Sequence, residues 1–265
     1  MTRLRPAVLS IAGTDPTGGA GLQADLQVFA RCGVHGMAVP TALIEQDSRG
    51  VRRVHAVFPT VLEAQARACF EDAPPAAVKI GALATDDLVR IVAHLLACFG
   101  PVPAVLDPVF LSSNSVFLLE RRGWDALRCE LIPHVTIVTP NLAEAGVLLA
   151  QLPPTGVEAM ERAARDLLRL GAPWVLLKGG HLAGDPVDVL VGRDRVKVLR
   201  GKRVDAHVHG TGCALSSAIA AGLALGLDVP TAVDRAHAYL QAAIAMSEQR
   251  GKGRRTLHFG APYGV

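Results

Sequence analysis

Short, continuous apolar runs that end at or close to Gly, Pro, Asp or Asn, separated by helix-length stretches, constrain this chain more than any other feature. The runs are AVLSIAG (Ala7–Gly13), VHGMAVPTAL (Val34–Leu43), AAVKIGAL (Ala76–Leu83), PAVLDPV (Pro103–Val109), VTIVTPN (Val135–Asn141) and PWVLLKGG (Pro173–Gly180). A strand with one wet face alternates apolar and polar residues. These do not alternate, so both faces need cover, as in a parallel sheet. Val157–Leu170 shows the clearest helical spacing, with Met160, Ala163, Ala164, Leu167 and Leu168 on one face and Glu161, Arg162, Arg165, Asp166 and Arg169 on the other. Alternating β and α units predict a mostly parallel, doubly wound α/β sheet flanked by helices, with ligands at the carboxyl ends of the strands.

The pattern changes after Gly180. VDVLVG and RVKVLR predict a hairpin around Gly192–Asp194, and helices over Thr211–Leu225 and Thr231–Glu248 close the chain. The polar segment Glu45–Phe58 carries a Gly turn and reads as a small flap. Nothing resembling a linker, repeat or low-complexity tract divides residues 1–265, so a single domain is expected.

Composition narrows the function classes. With 50% hydrophobic and 19% charged residues the chain is not a disordered one. A net charge of +3 and only 4% aromatics leave little for nucleic acid to stack on or be steered by. The densest basic run, Arg250, Lys252, Arg254 and Arg255, reads as a solvated turn. Five cysteines without a CxxC pair suit a reducing, cytoplasmic setting rather than disulfides or zinc. The longest uncharged stretch, Ala206–Leu227, holds two His, two Ser, one Thr and four Gly, and reads as a loop plus buried helix, not a membrane span. The first apolar run is too short for a signal peptide. No nucleic-acid or membrane partner is expected.

Two glycine-rich segments carry the chemistry. GTDPTGGAG (Gly13–Gly21) follows the first strand and opens the helix Leu22–Cys32; its four glycines let the backbone approach a ligand and expose amides. It matches neither GxGxxG nor GxxxxGK[ST]. In HGTGCALSSAIAAG (His209–Gly222), Gly210, Thr211 and Gly212 lead into a helix of small apolar residues, whose free amides and dipole form an anion site. Cys213, in its first turn, is expected to have a lowered thiol pKa and to act as a base. Cys32, Cys69, Cys98 and Cys129 read as structural. Asp107, Asn141, Glu144 and Lys178 fall at strand ends, where acids can hold Mg²⁺ through water and the lysine can neutralise phosphate. Taken singly, Asn141 is equally a helix cap and Lys178 a solvated strand end. Together they favour phosphoryl transfer.

These segments, with ALIEQDSRGV, AVKIGAL, LDPV, TPNLAEA, LLKGGHL and GKG…HF, resemble hydroxymethylpyrimidine/phosphomethylpyrimidine kinases of thiamine biosynthesis, in the ribokinase-like superfamily. The resemblance runs from Ala7 to Phe259. It implies ATP as co-substrate, Mg²⁺, a homodimer, and a pyrimidine pocket in which Gln46 reads the ring and Gly13, Ala20, Asp25 and Val109 form the lining. It also implies Cys213 as base, Gly210, Thr211 and Gly212 as anion hole, Asp107, Asn141, Glu144 and Lys178 as triphosphate contacts, and Asp107 and Glu144 as metal ligands. The chain departs from the family where Ala82 replaces the Met of KIGM, where FLSSNS replaces the run after LDPV, and where His207-Val208 replaces Asn-Thr. Phe110 is expected to refill the space that Ala82 leaves. A pyridoxal kinase or a non-catalytic pyrimidine-binding domain on the same scaffold are the alternatives.

Overall fold

A computed structural model describes residues 4–180, 182, 184–204 and 207–264; His181 of LLKGGHL and Ala206 lie outside them. The first unit is β1 (Ala7–Gly13), α1 (Gly21–Arg31), β2 (His35–Asp47) and β3 (Gly50–Ala56). Then follow α2 (Pro59–Asp72), β4 (Ala77–Ile80), α3 (Asp86–Phe99), β5 (Ala104–Leu106), α4 (Arg122–Ala126), β6 (Ile137–Val138), α5 (Leu142–Leu149), α6 (Val157–Leu168) and β7 (Trp174–Lys178). The chain closes with β8 (Val187–Gly192), β9 (Val196–Arg200), β10 (Val208–His209), α7 (Thr211–Ala224), α8 (Val229–Ala245) and β11 (Arg255–Thr256).

One nine-stranded sheet runs β3-β2-β1-β4-β5-β6-β7-β8-β9. β2, β1, β4, β5, β6 and β7 are mutually parallel. The expected hairpin after Gly180 is β8–β9, added antiparallel to β7. From β1 the chain goes to β2 on one side and later to β4 on the other. The crevice at the carboxyl ends of β1 and β4 is therefore the switch point of the sheet.

The continuous apolar strands are buried on both faces, as their composition requires. Leu9 and Ile11 pack with Leu62 of α2, Leu88 of α3, Leu148 of α5 and Met160 of α6. Val8, Ile137 and Leu176 pack on the opposite face with Val28 of α1, Ile219 of α7 and Val233 of α8. α7 is buried on all sides from Ala214 to Leu223, which its Ala, Ser and Gly residues permit by letting neighbours come close.

The segment Glu45–Phe58, expected as a small flap, is built from the end of β2 and from β3. β2 continues to Asp47 and turns into antiparallel β3, so the segment is an arm continuous with the sheet edge. Its ladder slips between Glu45 and Gln46, which face Arg53 and Val51 and leave Arg52 as an extra residue.

Candidate active site

α7 starts on Gly210, whose φ of +80° favours glycine. A side chain there would also run into the Gly19 carbonyl, so this glycine lets the HGTG turn close on the glycine-rich loop. The first intrahelical bond runs from the Ala214 N–H to the Gly210 carbonyl at 2.9 Å. The Thr211, Gly212 and Cys213 amides ahead of it have no backbone acceptor among the described residues, and they sit at the positive end of a 14-residue helix. A Cβ on Gly212 would lie 3.1 Å from Asp107 Oδ2 and 3.3 Å from Lys178 Nζ. The first turn of α7 is thus laid directly on an ion pair.

In that pair Lys178 Nζ is 2.7 Å from Asp107 Oδ1. Asp107 follows β5 and also accepts from Thr139 Oγ1 at 3.3 Å; Lys178 ends β7. Burial pulls the Lys178 ammonium toward neutrality, but the Asp107 and Glu144 carboxylates outweigh it and hold the lysine charged. Asn141 does cap a helix. Its side chain accepts the Glu144 N–H at 2.9 Å, while Glu144 Oε2 accepts the Asn141 N–H at 2.7 Å. A bridge to Lys178 keeps Asn141 beside the pair. Burial pushes the Glu144 carboxyl up to about 7, against the pull of Lys178 and with Asp107 adding to the rise. All four strand-end residues therefore meet, together with Gly212.

Cys213 corrects its expectation. Its sulfur accepts a hydrogen bond from the Gly21 amide, and the Lys79 ammonium favours the thiolate, yet burial pushes the thiol up to about 11. Asp25 is corrected too. It is fully buried and takes Ser10 Oγ at 2.6 Å, Lys79 Nζ at 2.8 Å and Ser217 Oγ at 2.7 Å, so it sits in a closed network rather than on a pocket wall. The sequence reading missed Lys79. Its signal is a lysine inside the apolar strand AVKI, where a charge is buried only with a partner.

At the other end of the crevice, the glycine-rich loop is stapled from within. Asp15 accepts the Thr17 amide at 2.9 Å, the Thr17 hydroxyl at 2.8 Å and the Ala20 amide at 2.8 Å, and lies 3.2 Å from His209 Nε2. Two amides expected to face a ligand are thereby taken up, and the Asp15–His209 contact ties this loop to the HGTG turn. Gly13 ends β1, where a Cβ would lie 2.6 Å from Ile44 Cδ1. Buried Ala20 precedes α1, and the half-buried Gln46 has its Nε2 3.5 Å from the Thr14 carbonyl. Gly13, Ala20 and Gln46 thus gather around one loop. Val109 is joined to Asp107 by its own N–H, 2.9 Å from that carbonyl. Phe110 is 1% exposed and packs on Trp124, with ring centres 5.2 Å apart.

The sheet order, the glycine-started helix and the charges at the strand ends define a ribokinase-like kinase fold. Comparison with known proteins narrows this further. The phosphomethylpyrimidine kinase family model matches residues 15–258. A hydroxymethylpyrimidine/phosphomethylpyrimidine kinase of Streptomyces coelicolor is 44% identical over 254 residues, 94% of this chain and 92% of that protein. A crystal structure of phosphomethylpyrimidine kinase from Clostridium difficile is 38% identical with a TM-score of 0.81, covering 91% of this chain and 100% of that one. An ADP complex of Bacillus subtilis pyridoxal kinase is 32% identical with a TM-score of 0.90, covering 97% and 98%. The chain belongs to the phosphomethylpyrimidine kinase family.

Proposed function

We propose that this protein is an ATP-dependent kinase that phosphorylates 4-amino-5-hydroxymethyl-2-methylpyrimidine and then its monophosphate, in thiamine biosynthesis. The observation that carries this reading is the first turn of α7 lying on the Asp107–Lys178 pair. Phosphoryl transfer needs position and stabilisation of spreading negative charge more than covalent help. The Thr211, Gly212 and Cys213 amides point where that charge develops, and Lys178 adds a held ammonium. Asn141, beside Lys178, is a further contact for the triphosphate.

Asp107 and Glu144 fit a magnesium ion. Each carboxylate spends one oxygen on a protein contact of about 2.7 Å and keeps the other, and Mg²⁺ typically takes one or two carboxylates with phosphate and water. Among the described residues no cluster of three or more His, Cys, Asp and Glu forms a protein cage, which suits an ion shared with a nucleotide. When bound, the ion neutralises charge on the triphosphate. Gln46 reads the ring through one donor and one acceptor, with Gly13, Ala20 and Val109 around it and Asp25 supporting from beneath.

Cys213 is the group that takes the hydroxyl proton. Its thiolate is stabilised by Lys79 and the Gly21 amide, although the resting form is the thiol. Turnover should therefore rise with pH through the neutral range, because the reactive fraction grows as the thiol ionises. Exposed Leu43 and Phe58 at the sheet edge support a homodimer, and the free cysteines support a cytoplasmic setting. Among the described residues no helix is long and apolar enough to cross a membrane. The basic run contacts the chain itself: Arg250 pairs with Glu248 and Arg254 reaches the Ser113 carbonyl.

A second reading, pyridoxal phosphorylation, is favoured by the fit to the Bacillus subtilis enzyme and by Ala82. Coupled ADP-release assays with hydroxymethylpyrimidine, its monophosphate and pyridoxal separate the readings. ADP release with both pyrimidines supports the first. Turnover of pyridoxal alone moves the assignment to the second, and binding without turnover leaves a non-catalytic domain.

A further inference from the structure

The loop after β5, in which FLSSNS departs from the family pattern, is folded tightly on itself. Ser112 N–H donates to the Val116 carbonyl at 2.8 Å, the Ser115 N–H to the Ser112 carbonyl at 2.9 Å, and the Val116 N–H to Ser112 Oγ at 2.9 Å. Its base is fastened by Phe110 against Trp124 and by the Leu118 N–H on the Phe110 carbonyl at 2.9 Å. From this rigid turn Asn114 reaches across to the β2–β3 arm. Its Nδ2 donates to the Val51 carbonyl at 2.8 Å, and its Oδ1 accepts the Val51 N–H at 3.0 Å. The Ser112 hydroxyl, 2.9 Å from the same Oδ1, fixes which way the amide faces. Gly50 completes the fit: a Cβ there would lie 2.6 Å from Asn114 Cγ.

The residue gripped in this way is the partner of Gln46. Val51 faces Gln46 across the arm, next to the slip that leaves Arg52 extra. A bulge re-aims the side chains beside it and weakens the ladder that would otherwise hold them. Gln46 has little else to hold it: among the described residues its side chain makes one hydrogen bond, the 3.5 Å approach to the Thr14 carbonyl. The opposite side of the arm tip is braced by the Arg254 and Gly253 amides, which donate to Ser48 O at 2.8 Å and Ser48 Oγ at 3.0 Å.

We propose that Asn114 is a positioning residue for ring recognition: by closing its amide on the Val51 backbone it holds the arm so that Gln46 faces the pocket. This rests on the reading of Gln46 given above. The loop that departs from the family thus acts on substrate recognition rather than on the triphosphate.

Steady-state kinetics of Asn114→Ala, Gln46→Ala and the double variant test it. Asn114→Ala should raise the pyrimidine KM about tenfold, with kcat and the ATP KM within about twofold, because it loosens binding without touching the reacting groups. Gly50→Ala, which crowds the Asn114 amide, should raise the same KM with Asn114 intact. The double variant should be no worse than Gln46→Ala alone, as residues acting through one another are not additive. An unchanged pyrimidine KM in Asn114→Ala, with Gln46→Ala impaired, overturns the proposal alone, as does an additive double variant. An unchanged KM in Gln46→Ala overturns the reading of Gln46 and the proposal with it.

Discussion

The two ends of the crevice are held together by different physics. At the end formed by the first turn of α7, a buried ion pair and a glycine contact dominate, Asp107 with Lys178 and Gly212 laid on them, and the fully buried Asp25–Lys79 pair lies beneath the crevice. At the arm, the tip is held by hydrogen bonds between loops, and Arg49 and Arg52, the partners of half-buried Asp47, are exposed to solvent. A buried pair resists change because removing one partner strands the other. Surface loops tolerate substitution with far smaller penalties. Of the three departures from the family pattern, FLSSNS reaches the arm through Asn114 and Ala82 touches β2 through Thr41, whereas His207-Val208 directly precedes the first turn of α7, so only two of the three follow this division.

The most severe break should come from Lys79→Met. Asp25 would keep its two serine hydroxyls but lose its counter-charge in a fully buried site, a loss of about 3–5 kcal/mol in stability. Urea unfolding measures it. A double variant, Lys79→Met with Asp25→Leu, should recover much of that stability, and a loss no greater than that of a surface substitution would show that the pair carries no weight.

Next in size is Lys178→Ala. Removing the ammonium from beside the first turn of α7 should, on the proposed function, lower kcat by roughly a hundredfold, about 2.7 kcal/mol of barrier. Pyrimidine KM should change little. Wild-type turnover would remove Lys178 from the catalytic end. Gln46→Ala should do the reverse, raising pyrimidine KM at a cost of about 1–3 kcal/mol while leaving the ATP KM in place. Should ATP affinity fall equally, the division between the two ends would not hold.

What the sequence disclosed follows the same division. β1, the β8–β9 hairpin and the start of α7 were legible because apolar runs, turn glycines and helix starts are local signals. Asp107, Glu144 and Lys178 were legible because strand ends are. The Asn114–Val51 contact, 63 residues apart in the chain, and the Ser217–Asp25 bond, 192 apart, leave no local trace. Cys213 shows the limit best. Its place at a helix start was readable, but the burial that decides the direction of its pKa is a property of α1, β4 and α7 packed together.

That reversal makes the smallest expected effect an informative one. A base with a lowered pKa would make Cys213 the first of the five cysteines to be alkylated at neutral pH. With the thiol pushed up to about 11, the thiolate is roughly one part in a thousand at pH 8 and grows about tenfold per pH unit below that value. Cys98 and Cys129 are exposed, whereas Cys213 is only partly so. Iodoacetamide at pH 7 should therefore label Cys98 and Cys129 first, and activity should fall by less than about twofold during that phase, since neither lies among the residues of the crevice. Labelling of Cys213, followed by mass spectrometry of its peptide, should climb steeply from pH 7 to 10 without levelling off, and ATP should slow it by covering the first turn of α7. Rapid labelling of Cys213 at pH 7 with parallel loss of activity would mean that Lys79, the Gly21 amide and the helix terminus outweigh burial after all, and would return the thiolate to the resting enzyme.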